Sequence, residues 1–125
     1  MLNLTGHFPL LPIAMTSITT LKVDLSDRRS YPIFIGAGVL DQLELLQPHL
    51  TGRQFCIVTN TTVAGLYEKK IRDLLARANP QAQVSVVQLP DGERYKTLET
   101  LNQIFDVLLQ DRHNRKTTLL ALGGG

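Results

Sequence analysis

The sequence predicts an α/β protein in which helices pack against a parallel sheet. Two observations predict this fold. Short apolar segments typical of strands buried on both faces alternate with longer segments of helical periodicity. Ahead of them, two strand-like segments predict an N-terminal β-hairpin. Because crossovers between parallel strands are right-handed, we expect a Rossmann-like parallel sheet with flanking helices.

The hairpin is predicted from two segments on either side of a polar turn at residues 26–30. In the first segment apolar and polar residues alternate, which is the period of a half-buried strand. Its apolar residues are Leu21, Val23 and Leu25. The second strand is predicted at residues 31–36, and a short helix is expected at residues 39–46. The apolar face of that helix would consist of Leu40, Leu43 and Leu46.

The parallel part of the sheet is predicted from three further strands and two helices. The strands are expected at residues 55–58, 84–89 and 117–122. Small polar side chains at residues 59–62 can cap the first helix, and Pro80 ends it. Its apolar positions are Val63, Leu66, Tyr67, Ile71, Leu74, Leu75 and Ala78. The second helix can be capped by Thr97, and its apolar positions are Leu98, Leu101, Ile104, Phe105, Leu108 and Leu109.

Composition excludes several classes of function. The chain has 125 residues, which suggests one domain. Its net charge of +2 is too small, and its basic residues too scattered, to indicate nucleic-acid binding. Its longest apolar stretches fall far short of the roughly 20 residues of a membrane-spanning helix. We therefore expect no nucleic-acid or membrane partner, and residues 1–17 to be a disordered lead-in, with Met15 as an alternative start.

The single cysteine and the three histidines offer no chemistry by pattern. Cys56 lies in an apolar run and is predicted to be a buried, inert thiol, so nothing requires an oxidising compartment. None of the histidines has a second His or a Cys at the spacing of metal ligands. The local pattern of these residues therefore predicts no metal site within this chain.

Three polar or glycine-rich segments follow the predicted parallel strands, at residues 60–62, 91–96 and 123–125. Ligands of open parallel sheets bind outside the carboxyl ends of the strands, where these segments would meet. The glycine run lacks β-carbons, so a pyrophosphate could approach its N–H groups closely, although a flexible turn is the simpler interpretation. Glu93 could accept from sugar hydroxyls and Lys96 could donate to phosphate, or the two could form a weak surface ion pair. Asn60 could contact ribose hydroxyls or only cap the next helix.

Four stretches together resemble 3-dehydroquinate synthases. They are residues 29–33, 57–60, 89–98 and 117–125, which include the D-G-E-x-x-K and A-L-G-G-G patterns. Their order and spacing are similar to those of this family across residues 18–125, which would be its N-terminal NAD-binding domain. The positions that would line the NAD site by this resemblance are Asn60, Thr61, Thr62, Asp91, Gly92, Glu93, Lys96, Gly124 and Gly125.

The resemblance also implies an activity and partners. Enzymes of this family are two-domain, homodimeric and cytoplasmic. They convert 3-deoxy-D-arabino-heptulosonate 7-phosphate to 3-dehydroquinate and phosphate in the shikimate pathway, with NAD⁺ and a divalent metal such as zinc or cobalt. The metal ligands and the groups that hold the sugar acid phosphate lie in a second domain that this chain does not include. We therefore expect an incomplete fragment without synthase activity, marginally stable or prone to aggregate on its own.

Two alternatives remain open from the sequence. A related sugar-phosphate cyclase would share the NAD-binding half and differ in the half that binds the substrate. A nucleotide-binding relic without catalysis would also retain these motifs. A dehydrogenase of the glycerol type is disfavoured, because the resemblance to that group is confined to the general fold and the glycine loop.

Overall fold

The computed structural model of the chain describes residues 17–26 and 28–124. It divides into two compact units, residues 1–39 and 40–125. The lead-in expected over residues 1–17 lies, except for Ser17, outside the described residues, and so does Gly125 of the candidate site. The predicted α/β class is confirmed: the chain forms an antiparallel hairpin, a parallel sheet and flanking helices.

The first unit contains the predicted hairpin. Strand β1 (Thr19–Val23) pairs with strand β2 (Tyr31–Ile35) in antiparallel register, with Leu21 opposite Ile33. The turn between the strands is closed by the hydroxyl of Ser30, which accepts a hydrogen bond of 2.9 Å from the Leu25 amide. Leu25 lies beyond β1, so the strand ends earlier than the alternation of apolar and polar residues predicts.

The second unit is built on a parallel sheet of the order β4-β3-β5. Its strands are β3 (Gln54–Asn60), β4 (Gln83–Leu89) and β5 (Thr118–Leu122). The central position of β3 agrees with its apolar sequence. Its residues Phe55, Cys56 and Ile57 are all 0% exposed, as expected of a strand that is covered on both faces. The predicted parallel sheet is therefore confirmed.

One face of the sheet carries helix α2 (Thr61–Ala78) and most of the hydrophobic core. Phe55 and Ile57 of β3 pack with Ile71 and Leu75 of α2, and partly buried residues of the neighbouring strands surround this cluster. Two expectations for this helix are wrong. Leu66 and Tyr67 are 69% and 44% exposed, whereas Ala64, a small residue without much hydrophobic surface, is buried in the first turn.

The helix predicted at residues 39–46 is interrupted. A 3₁₀ turn covers Val39–Asp41, helix α1 covers only Leu43–Leu46, and a second 3₁₀ turn covers Gln47–His49. The backbone of Gln42 has φ −99° and ψ 87°, which lies outside the helical region and breaks the hydrogen-bond ladder. Apolar spacing alone therefore overestimated the length of this helix.

Helix α3 (Leu98–Gln110) has the predicted apolar positions but none of them is buried among the described residues. The exposed large side chains on this part of the chain are Leu98, Leu101, Phe105 and Leu109 of α3 and Leu119 of β5. Leu98 and Leu109 are 79% and 77% exposed, far more than an apolar helix face normally is when it packs on a sheet. We call these five side chains the α3–β5 apolar surface.

We expect a polypeptide of residues 1–125 alone to self-associate through the α3–β5 apolar surface. Exposed apolar area and unpaired strand edges both favour pairing with other chains. Leu119→Lys on the edge strand should lower the associated fraction in size-exclusion chromatography with light scattering. Leu66→Lys, an exposed position on α2, is the matched control and should change it little. A monodisperse wild-type monomer that unfolds cooperatively would contradict this expectation.

The connection between α3 and β5 is held to the sheet by a polar network. The Ser85 hydroxyl contacts the Asp111 carboxylate and lies 2.7 Å from Nε2 of His113. Nδ1 of His113 lies 3.1 Å from the Thr117 hydroxyl. Ser85 is only 6% exposed, so these partners satisfy a polar group that would otherwise be buried without one.

Cys56 is predicted to be inert, and its position in the structure supports that prediction. Its side chain is 0% exposed in the central strand. Burial, and secondarily the negative charge of Asp111, raise the pKa of the thiol. Because the thiolate is the reactive form, we expect a disulfide reagent such as Ellman's reagent to label native protein far more slowly than protein unfolded in guanidinium. Equal labelling rates in the two states would contradict this.

Candidate functional site

The three segments chosen from the sequence meet at the carboxyl ends of the parallel strands, as predicted. They line one cleft of about 740 Å³, a size typical of sites for small molecules and cofactors. The predicted residues that line it are Asn60, Thr62, Asp91, Gly92, Glu93, Lys96 and Gly124. Thr61 is exposed but does not line the cleft.

The first segment is fixed by the way in which helix α2 begins. Asn60 is the N-cap residue of α2, and its side-chain Oδ1 accepts a hydrogen bond of 2.8 Å from the Val63 amide. This bond satisfies one of the backbone N–H groups that a helix leaves unpaired in its first turn. The capping interpretation of Asn60 is therefore confirmed. It leaves the amide nitrogen of the side chain to make a different contact.

That second contact joins two of the three segments. The Asn60 side-chain amide donates to Oδ1 of Asp91 over 3.1 Å. The Thr62 hydroxyl donates to Oδ2 of the same carboxylate over 2.8 Å. Both oxygens of Asp91 are therefore directed to the start of α2, although Asp91 itself follows strand β4.

The second segment depends on a glycine. Gly92 has φ 120° and ψ 150°, a region that is essentially restricted to glycine. It precedes a 3₁₀ turn at Glu93–Tyr95, in which the Tyr95 amide donates to the Gly92 carbonyl over 3.1 Å. This turn brings Glu93 and Lys96 to the same side of the loop.

Glu93 and Lys96 pair with each other at the mouth of the cleft. The Lys96 ammonium lies 2.6 Å from the Glu93 carboxylate, and the two side chains are 73% and 85% exposed. An ion pair this exposed contributes less than about 1 kcal/mol to stability. The surface ion pair considered from the sequence is thus present, and because it is weak, both groups could exchange it for contacts to a ligand at little cost.

The third segment leaves β5 at Gly123 and Gly124. A β-carbon built on Gly124 would lie 3.4 Å from Cγ2 of Val63, so a larger side chain would extend into the space beside the first turn of α2. The preceding strand end is anchored by the Thr59 hydroxyl, which donates to the Leu122 carbonyl over 2.8 Å. Gly123 and Gly124 therefore line the cleft without a side chain that would fill it.

Several residues that line the cleft were not predicted from the sequence. They are Val58, Thr59, Val63, Leu89, Pro90, Thr97, Thr100, Leu101, Ile104, Ala121 and Leu122. The residues of α3 among them could have been found, because positions 97, 100, 101 and 104 follow the i, i+3, i+4 spacing of a single helix face next to the predicted loop.

Tyr95 also lines the cleft and is supported by Arg94. The Arg94 guanidinium lies 4.7 Å from the centroid of the Tyr95 ring and donates to the phenolic oxygen over 2.8 Å. A contact of this kind favours one orientation of the half-buried ring. Both residues lie in the candidate segment at residues 91–96, at the variable positions of the D-G-E-x-x-K pattern, so the resemblance gives neither of them a role.

The described part of the chain, residues 17–26 and 28–124, contains no cluster of three or more His, Cys, Asp or Glu side chains suited to hold a metal ion. Among the same residues, no helix combines the length and apolar character needed to cross a bilayer. Glycines, carboxylates and an ammonium group line the cleft together with apolar side chains, a mixture typical of sites for small molecules and cofactors.

Comparisons with known proteins show which proteins the chain resembles. A family model described as "3-dehydroquinate synthase N-terminal" matches residues 86–125. The chain is 57% identical over 106 residues to the 3-dehydroquinate synthase of Pseudomonas entomophila, which covers 85% of this chain and 28% of that protein. It is 51% identical over 112 residues to the chloroplastic 3-dehydroquinate synthase of Arabidopsis thaliana, which covers 90% of this chain and 25% of that protein.

Solved structures show the same fold. The chain aligns with 2-deoxy-scyllo-inosose synthase at a TM-score of 0.63 and 27% identity, over 86% of this chain and 29% of that one. A structure of 2-deoxy-scyllo-inosose synthase complexed with carbaglucose-6-phosphate, NAD⁺ and Co²⁺ aligns at a TM-score of 0.59 and 24% identity, over 81% of this chain and 27% of that one. The chain thus spans about a quarter of the length of the curated relatives that it matches. The resemblance to the N-terminal part of 3-dehydroquinate synthases, predicted from the motifs, is confirmed.

Proposed function

We propose that this chain is the N-terminal, NAD⁺-binding part of a 3-dehydroquinate synthase. The observation that carries the proposal is the meeting of Asn60, Glu93 and Gly124 around one cleft at the carboxyl ends of the parallel strands. Identities of 51% and 57% to synthases of this name support the choice of family. A protein of the same fold has been crystallised with NAD⁺, so the fold is compatible with this cofactor.

Each segment of the cleft has its own part in holding the dinucleotide. The N–H groups of residues 123–125 would bind the pyrophosphate, because no β-carbon blocks its approach. Glu93 would accept hydrogen bonds from ribose hydroxyls, and Lys96 would donate to phosphate or to other polar atoms of the ligand. The first turn of α2, with Thr61 and Thr62, would border the same ligand. Gly92 would hold the loop in the conformation that this arrangement requires.

The intact protein would convert 3-deoxy-D-arabino-heptulosonate 7-phosphate to 3-dehydroquinate and phosphate, a step of the shikimate pathway that leads to aromatic amino acids. NAD⁺ supplies a transient hydride acceptor in this reaction, without net oxidation. A divalent metal, zinc or cobalt, would also take part, and the resemblance to the family implies that its ligands lie in the second domain. We also propose a homodimer in the cytoplasm, without nucleic-acid or membrane partners.

The proposal is tested by measuring phosphate release from 3-deoxy-D-arabino-heptulosonate 7-phosphate by the intact protein, with and without added NAD⁺. We expect NAD⁺-dependent release. A polypeptide of residues 1–125 alone should release none above background, because it spans only 25–28% of the relatives that catalyse the reaction under that name. Turnover by that polypeptide would contradict the second expectation.

A related sugar-phosphate cyclase is the second candidate, and the structural similarity to 2-deoxy-scyllo-inosose synthase at 27% identity favours it. The two activities differ in the substrate, so the same assay with glucose 6-phosphate separates them. Release of phosphate from the heptulosonate alone supports the synthase. NAD⁺ binding without turnover of either substrate would instead support a non-catalytic nucleotide-binding relic.

A further inference from the structure

The carboxylate of Asp91 is already engaged by the protein on both oxygens. One oxygen accepts from the Asn60 side chain over 3.1 Å, and the other accepts from the Thr62 hydroxyl over 2.8 Å. Glu93, two residues further on, has only the exposed partner Lys96 in the described part of the chain. The two carboxylates of this loop therefore have different surroundings, although only Gly92 separates them in the sequence.

The contacts of Asp91 extend into the first turn of helix α2. Asn60 uses its oxygen to accept from the Val63 amide and its nitrogen to reach Asp91. Val63 is 7% exposed, and its Cγ2 would lie 3.4 Å from a β-carbon built on Gly124. A continuous chain of hydrogen bonds thus links the loop after β4 to the helix turn beside the glycine segment. Moving Asp91 would disturb both the loop after β4 and the first turn of α2.

The position of Asp91 also affects the electrostatics of the helix start. Backbone N–H groups at a helix N-terminus carry partial positive charge that a nearby anion stabilises. Here the protein supplies that anion itself, through a carboxylate bound to the N-cap residue and to Thr62 of the first turn. A phosphate would be repelled from this turn, which leaves the glycine segment as the place for it.

We propose that Asp91 is a positioning residue, which locks the first turn of α2 to the loop after β4 and does not itself bind the dinucleotide. This inference rests on the proposed function and changes the role of one residue in it. Glu93 is then the carboxylate of this loop that meets the ligand. The affinity for NAD⁺ depends on Asp91 through Asn60 and Thr62.

The test is a double-mutant cycle on NAD⁺ affinity, measured by isothermal titration calorimetry of the intact protein. Thr62→Val removes one hydrogen bond to the carboxylate and should weaken binding by about tenfold, and Asp91→Ala removes both hydrogen bonds and should weaken binding by about tenfold or more. The double variant should bind no more weakly than Asp91→Ala. Asp91→Asn should weaken binding much less than Asp91→Ala, because it loses the charge at the helix start but keeps both contacts: its oxygen can accept from Asn60 while its nitrogen donates to the Thr62 hydroxyl. Asp73→Ala removes an exposed carboxylate further along α2 and is the matched control, with unchanged affinity.

The opposite pattern would overturn the inference. If Asp91 bound ribose hydroxyls directly, Asp91→Asn would be as weak as Asp91→Ala, and the effects of Asp91→Ala and Thr62→Val would add. The rate of amide hydrogen exchange at residues 61–65, measured without NAD⁺, separates a failure of this inference about Asp91 from a failure of the proposed function. Asp91→Ala should speed exchange of the Val63 amide whether or not the protein binds NAD⁺, and unchanged exchange would also overturn the inference. If the wild type does not bind NAD⁺ but Asp91→Ala still speeds this exchange, the proposed function is overturned. The positioning role of Asp91 is then retained.

Discussion

Gly92→Ala should weaken NAD⁺ binding by the intact protein more strongly than any other addition of a single methyl group in the cleft. Gly92 has φ 120° and ψ 150°, which a residue with a β-carbon hardly adopts. Strain of this kind costs about 1–3 kcal/mol, so the loop would relax into another conformation. Asp91 and Glu93 flank this glycine and would move with it. We expect affinity to fall by about 5-fold to 100-fold, measured by titration calorimetry.

Gly65→Ala is the matched control for this substitution. Gly65 lies inside helix α2, and a β-carbon there would meet nothing within 4 Å. Alanine is preferred to glycine in a helix by about 1 kcal/mol, so this variant should be slightly more stable, with the affinity of the wild type. Wild-type affinity of Gly92→Ala would mean that the loop conformation does not matter for binding.

Phe55→Ala should be the most destabilising single substitution of the core. Phe55 is 0% exposed at the start of the central strand, and it packs against Ile71 and Leu75 of α2. Removing a buried phenylalanine side chain usually costs about 3–5 kcal/mol, a large part of the 5–15 kcal/mol by which a typical domain is stable. We therefore expect a large drop in the urea concentration of half-unfolding.

Phe55→Leu is the matched comparison, because it keeps an apolar side chain of intermediate volume at the same position. Its loss should be clearly smaller than that of Phe55→Ala, since less of the cavity is opened. Equal losses for the two variants would show that the aromatic ring contributes more than its volume. A negligible loss for Phe55→Ala would mean that the core does not depend on β3.

The parallel sheet could be predicted because its strands carry strong local signals. The run of residues 55–58 is apolar at every position, which is required of a central strand and of few other structures. The start of α2 was placed two residues late, since the helix begins at Thr61. The cap explains this: Asn60 satisfies the Val63 amide, so the two threonines join the first turn although they add nothing to its apolar face.

Contacts between distant parts of the chain could not be predicted in the same way. Asp91 bonds to Asn60, which is 31 positions away in the sequence, and to Thr62, which is 29 positions away. No local sequence pattern indicates which side chains the Asp91 carboxylate will contact. The break at Gln42 depends on its backbone angles, which apolar spacing does not specify. The large exposure of Leu66 on α2 could not be predicted either. Helical spacing indicates which residues share a face, but not how far the sheet extends beneath that face.

A crystal structure of the intact protein with NAD⁺ is the most direct test of the dinucleotide site. We expect the pyrophosphate over the backbone of residues 123–125, the carboxylate of Glu93 within hydrogen-bond distance of a ribose hydroxyl, and Asp91 still bound to Asn60 and Thr62. Dinucleotide bound anywhere other than the cleft between these three segments would contradict the proposed function.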